Sequence, residues 1–192
     1  EATQQITFGL TSFYNAEVAA IDCKCQGDIS LDQDCFSNAH DVERVSLISD
    51  KGVTLGLTCF KNSTIDEVYI KAKNDIRLVQ DSLRDVTNFE KLTIETEGSL
   101  NAGITCCIFS TVHQIYIKCG NAVHFVEDSF KGTPDLENLT IIANGEIDFG
   151  LTSFKDSNIN YMSLYTNSSV HFVQDAFRNT RNLTYFEVHA IG

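Results

Sequence analysis

The chain has 192 residues, 7 cysteines, one proline and no tryptophan, with 26 acidic against 14 basic residues and a formal charge of −12. That length carries one domain with a core of its own, and an apolar content of 43% argues against wholesale disorder. The acidic balance argues against nucleic acid, whose phosphates need a basic footprint, and no apolar run is long enough to cross a membrane as a helix. The opening residues, EATQQ, are polar and do not form a signal peptide.

An internal period governs everything that follows. In chain order, ITFGLTSF begins at Ile6, ISLDQDCF at Ile29, VTLGLTCF at Val53 and IRLVQDSL at Ile76. Then LNAGITCC begins at Leu100, VHFVEDSF at Val123, IDFGLTSF at Ile147 and VHFVQDAF at Val170. Starts alternate by 23 and 24 residues, so the chain is four copies of a 47-residue pair. We label the shorter unit A and the longer unit B; the extra residue of B falls after its phenylalanine.

Each unit then carries an LxxLxL-like stretch, as in Ile65, Val68 and Ile70, or Leu136, Leu139 and Ile141. Its last positions alternate in and out, the period of a strand, and Val, Ile, Tyr and Thr are frequent there. The expected unit is one strand, a bend, and a second extended or turn-like segment at the GLTSF or VQDSF element. A unit this short cannot bury its own apolar face, so its neighbours must cover it. The prediction is a single repeat solenoid over 1–192, right-handed, strand-rich and poor in helix, with units starting near 6, 29, 53, 76, 100, 123, 147 and 170. Phe13, Phe36, Phe60, Phe130, Phe154 and Phe177 should form a packing column along one edge, interrupted by Leu83 and Cys107.

The LxxLxL core and the period resemble leucine-rich repeats. The spacing of Val123, Val126 and Phe130 is similar to the BspA-type subclass. The alternation of unit lengths, with stretches such as IDEVYI and FEKLTI, resembles arthropod secreted leucine-rich proteins, including the non-catalytic subunit of oplophorus-type luciferase. The resemblance covers essentially the whole chain. One departure is the Asn that usually follows the strand, present only as Asn144 and Asn167. Backbone or water must then satisfy the turn elsewhere. No cysteine-rich cap flanks either end.

The cysteines are Cys23, Cys25, Cys35, Cys59, Cys106, Cys107 and Cys119. Cys35 and Cys59 hold one position on adjacent units and form the expected disulfide; the alternative is two small buried residues in place of serine. Of Cys106 and Cys107, one is expected inward and one outward. Zinc at Cys23-x-Cys25 lacks a partner pair, so no metal is expected. Glycosylation sequons stand at Asn62, Asn138, Asn167 and Asn182. With the cysteines and the repeat type, they point to a secreted or cell-surface protein; a cytosolic repeat protein is the alternative.

Outward strand positions carry Tyr69, Tyr116, Tyr161, Tyr165, Tyr185, His113 and His189, a candidate binding face. Cross-strand packing is the competing reading of the same residues. His124, Asp148 and His171 would form a parallel column on a solvated edge. Asp34, Asp81, Asp128 and Asp175 recur every second unit and read as turn residues bonding local backbone, with a calcium ladder as the sharper alternative.

No hydrolase, kinase, nucleotide-binding or metalloprotease motif appears, so no catalytic residue and no cofactor is assigned. The function expected is a non-catalytic extracellular scaffold for recognition, adhesion or structure, binding protein or glycan. The resemblance also implies an accessory subunit of a secreted enzyme complex as a second possibility. Uncapped ends imply either a slice of a longer ectodomain or, as a third possibility, end-to-end self-association.

Overall fold

The fold is taken from a computed structural model that describes residues 4–191. It is a β-solenoid of eight turns, and each turn holds one short and one long strand. The short strands are β1 (Ile6–Phe8), β3 (Ile29–Leu31), β5 (Val53–Leu55), β7 (Ile76–Leu78), β9 (Leu100–Ala102), β11 (Val123–Phe125), β13 (Ile147–Phe149) and β15 (Val170–Phe172). The long ones are β2 (Ala20–Cys25), β4 (Val42–Ser49), β6 (Ile65–Ala72), β8 (Lys91–Thr96), β10 (Gln114–Cys119), β12 (Leu136–Ala143), β14 (Ile159–Thr166) and β16 (Tyr185–Ala190). Each set forms its own eight-stranded parallel sheet, and the described residues contain no helix.

The register reproduces the repeat. Ile6 pairs with Ile29, Ile29 with Val53, and so on through Val170. The segment expected to be merely extended or turn-like therefore starts with a true strand of three residues. A second difference concerns the extra residue of B. In three of the four B units it is absorbed by a left-handed residue one to three positions ahead of the long strand, at Asp41, Asn88 and Asn182 (φ 60°, 59° and 59°), types whose short polar side chains tolerate that region.

Inward positions of the two sheets meet in one continuous core. The expected ring column is present. Phe13, Phe36 and Phe60 stack at 4.7 and 5.2 Å between centroids, and Phe130, Phe154 and Phe177 at 5.3 and 5.2 Å. Leu83 and Cys107 occupy its gap, both buried. A second column, Phe125, Phe149 and Phe172, stacks at 5.3 and 5.0 Å and meets the first at an angle. The gap is matched elsewhere in the cross-section: unit B at Ile76 puts Phe89, fully buried, in a column otherwise made of Val, Ile and Leu.

Because rings rest on rings, a deletion in mid-column leaves a hole that its neighbours cannot collapse into. Phe154→Ala is expected to cost about 3–5 kcal/mol, and Phe154→Leu under about 1.5 kcal/mol, since leucine already serves at position 83. Urea unfolding of the two variants checks the difference.

Candidate functional site

The Asp column has a structural role, though not the one expected. Asp34, Asp81, Asp128 and Asp175 sit in the turn after each short strand of B with φ of 54–59°. The same turn position of A holds Thr11, Thr58, Thr105 and Thr152, also left-handed at 53–58°. A β-branched residue there is strained. A hydroxyl contact compensates: Thr58 Oγ1 donates to Asp34 Oδ1 at 2.5 Å, Thr105 Oγ1 to Asp81 Oδ1 at 2.6 Å, and Thr152 Oγ1 to Asp128 Oδ1. The carboxylates of Asp34, Asp81 and Asp128 thus bond the next turn's side chain, with Lys131 on Asp128 and Arg84 on Asp81 as further partners, and among the described residues none caps local backbone.

Two of the turns that lack the asparagine, those at Asp50 and Glu97, are bonded from inside. At the end of the long strands a buried column of Cys25, Ser49, Ala72, Thr96, Cys119, Ala143 and Thr166 faces the turn. Ser49 Oγ donates to the Gly27 carbonyl at 2.6 Å and accepts from the Lys51 N–H at 2.9 Å. Thr96 and Thr166 repeat both contacts on their own turns. Asn144 and Asn167 make only an exposed amide pair at 3.3 Å.

All seven thiols are free and buried. The expected Cys35–Cys59 bridge is not formed. In-register positions of adjacent turns send their side chains out in parallel, whereas a disulfide needs them to converge. Cys106 and Cys107 also depart from expectation: both are buried, with sulfurs 3.8 Å apart. The turn between left-handed Thr105 and Phe109 does not follow strand alternation, so neighbours can share a side. Burial pushes the Cys35 and Cys119 thiols up to about 12 and raises that of Cys59 as well.

On the outer face of the long sheet, Tyr69 and Tyr116 share a row with Thr93 between them. Tyr69 OH donates to Glu95 Oε2 at 3.4 Å, and burial, then Glu95, raises its phenol. Beside this row runs an open trough of about 730 Å³, lined by Lys71, Lys73, Glu95, Glu97, Lys118 and Gly120; a side chain on Gly120 would strike the Glu97 carbonyl. A smaller hollow adjoins Tyr116, Lys91, Gln114 and Asn138. Lys71 and Lys73 are paired with Glu95 and Asp50; Lys91 and Lys118 have no acidic partner among the described residues.

The other tyrosines pack on one another. Tyr161 stacks on Tyr185 at 4.4 Å and Tyr165 on His189 at 5.0 Å. Glu187 accepts from Tyr165 OH at 2.6 Å and lies 2.7 Å from His189 Nε2, and these contacts lower its carboxyl. Burial, then Glu187, pushes the Tyr185 phenol up to about 12. His113 lies one residue ahead of β10, 3.7 Å from Glu137. The expected histidine column is in register: His124 Nδ1 is 2.9 Å from Asp148 Oδ2, while His171 bonds Ser169. Among the described residues, His124, Glu146 and Asp148 form one of two trios close enough for a metal, the other being Glu17, His40 and Asp41; neither includes the Asp column.

Two features had a sequence signal that went unread. One is a ridge of exposed aliphatics, Leu10, Ile104 and Leu151, written as Leu or Ile in every A unit against Gln33, Gln80, Glu127 and Gln174 in B. The other is the Thr–Asp alternation itself. No protein-family model, no curated protein and no solved structure matches the chain.

The thiol environment gives a direct check. Buried, un-ionised thiols do not attack disulfide reagents. An Ellman assay should find essentially no reactive thiol in the folded chain and seven in guanidinium chloride. Five in denaturant would show one disulfide.

Proposed function

We propose that this chain is a right-handed, leucine-rich-repeat-like solenoid that works outside the cell as a non-catalytic recognition scaffold. Its binding face is the outer side of the long sheet, around Tyr69 and Tyr116. The observation that carries this is the trough beside those rings, flanked by the unpaired ammonium groups of Lys91 and Lys118 on an otherwise acidic chain. Tyrosine offers a large rigid surface and a hydroxyl at low entropy cost, and the nearby Thr93, Gln114 and Thr140 supply further hydrogen-bonding groups. A protein loop or a glycan suits such a surface.

An extracellular setting is supported by the sequons, whose asparagines 62, 138, 167 and 182 are all exposed. Asn138 stands on the proposed face, in register with Gln114 and Tyr161. A glycan there would confine binding to the trough side of the sheet. Among the described residues no helix is long and apolar enough to cross a membrane.

Protein and glycan arrays probed with the purified chain test the reading. Hits are expected, and Tyr69→Ala with Tyr116→Ala should weaken them at least tenfold while leaving the unfolding midpoint nearly unchanged. Hits indifferent to both substitutions would move the site elsewhere.

A further inference from the structure

We propose that His124, Glu146 and Asp148, on the outer face of the short sheet, form a binding site for a divalent transition-metal ion, with zinc as its probe. The long sheet and its tyrosines belong to the other sheet of the solenoid, so the site is independent of the tyrosine face.

The backbone brings the three side chains together. In β11 and β13 the first and third residues are buried and the middle one faces outward. The two strands pair in parallel register, which sets His124 directly beside Asp148. The ladder also holds the chain one residue ahead of β13, where the Glu146 carbonyl accepts from the Val123 N–H at 2.9 Å. Glu146 precedes Asp148 by two residues, so its side chain leaves the extended backbone on the same face. Hydrogen-bonded backbone of two neighbouring turns therefore positions all three groups.

The distances suit an ion. One ring nitrogen of His124 and one oxygen from each carboxylate all lie within 4.8 Å of one another. His124 Nδ1 is 2.9 Å from Asp148 Oδ2, and Nε2 is 4.0 Å from Glu146 Oε1. A tetrahedral zinc, about 2.1 Å from each ligand, holds its ligand atoms about 3.4 Å apart. The present spacings bracket that value, and rotation of the half-exposed Glu146 side chain closes the difference.

Charge argues for the same occupant. Glu146 and Asp148 emerge side by side on a chain of formal charge −12, and among the described residues neither has a Lys or Arg partner. Elsewhere exposed carboxylates meet fixed cations, as Asp22 meets Arg44 and Asp50 meets Lys73. Here the shared neighbour is an imidazole, which brings a lone pair where lysine would bring only a charge. One nitrogen with two carboxylate oxygens favours a first-row transition ion over calcium or magnesium, which take oxygen ligands. Three protein ligands on an outer face leave a coordination position to water.

The repeat marks the same place. In the first five turns the outward position of the short strand holds Thr7, Ser30, Thr54, Arg77 and Asn101, none of them a usual zinc ligand. In turns six to eight it holds His124, Asp148 and His171. His171 is in register with Asp148 but bonds Ser169 at 2.8 Å and stands outside the trio. The other trio, Glu17, His40 and Asp41, is looser: its His40 and Asp41 side chains are 50% and 74% exposed, against 36% and 34% for His124 and Asp148. The stronger site is therefore at His124.

Zinc titration of the folded full chain, read by isothermal calorimetry at physiological ionic strength, tests the proposal. The chain must be folded, because its buried cysteines would take up zinc once exposed. Salt suppresses the loose attraction of cations to an acidic surface. Wild type should bind one zinc per chain at its tightest site. His124→Ala, and the isosteric pair Glu146→Gln with Asp148→Asn, should each weaken that binding at least about tenfold and leave the unfolding midpoint without metal nearly unchanged. His171→Ala and His40→Ala should each change it less than about threefold. Wild type without saturable zinc binding would overturn the proposal. So would binding indifferent to His124→Ala, or an equal loss in His171→Ala or His40→Ala, which would put the ion on the histidine column or in the other trio. Displacement of zinc by an equimolar amount of calcium would overturn it as well, since carboxylates alone would then hold the ion.

Discussion

In this molecule every side chain sits about 4.8 Å from its counterpart on the next turn, and that spacing decides which residues can repeat. Apolar residues gain from it: phenylalanine on phenylalanine excludes water along a whole column. Charged residues lose by it, because two carboxylates at that distance repel. The chain resolves the conflict in the turn after the short strand by alternating Thr with Asp, so that a hydroxyl separates successive carboxylates and bonds one of them. Gly alternates with larger residues two positions earlier, and Leu with Gln or Glu one position earlier. These alternations are why the true period is 47 residues and not 23 or 24.

The same spacing governs the inside. A ring lost from one column must be made up within the same turn or the next, since no other element can reach in. The stretch from Leu83 to Cys107 shows how: rings leave one column and Phe89 enters another. At two of the turns that lack the outer asparagine, the hydroxyls of Ser49 and Thr96 in the buried column behind it bond backbone groups of the turn. Five of the seven buried thiols, Cys25, Cys35, Cys59, Cys106 and Cys119, fit this pattern as small apolar residues at positions otherwise held by Ser, Ala or Thr, while Cys23 and Cys107 replace larger apolar residues.

The stacking, the two-sheet cross-section's long strand and the main ring column were legible because they depend on repetition, which a sequence displays directly. The Tyr69–Tyr116 row was legible for the same reason. What could not be read depended on conformation inside the turn. Left-handed residues at Thr105 and Phe109 break the in-out alternation, and so Cys106 and Cys107 share the interior. The Asp column looked like a set of local caps because its partner lies one turn away, 24 residues along the chain. The Cys35–Cys59 bridge was inferred from proximity alone, and proximity says nothing about the direction of parallel side chains. The trough was not read because its lining, which includes Gly120, comes from five different turns.

Excising whole turns tests the stacking rule most directly. Removing residues 53–99, one full pair, joins a B turn to an A turn and lets Thr105 take the place of Thr58 on Asp34. Removing only 53–75 joins B to B and sets Asp34 against Asp81. Measured by urea unfolding, the smaller deletion should be the more destabilising of the two, although it discards half as much core. A chain that tolerates loss of the single unit better than loss of the pair would contradict the account.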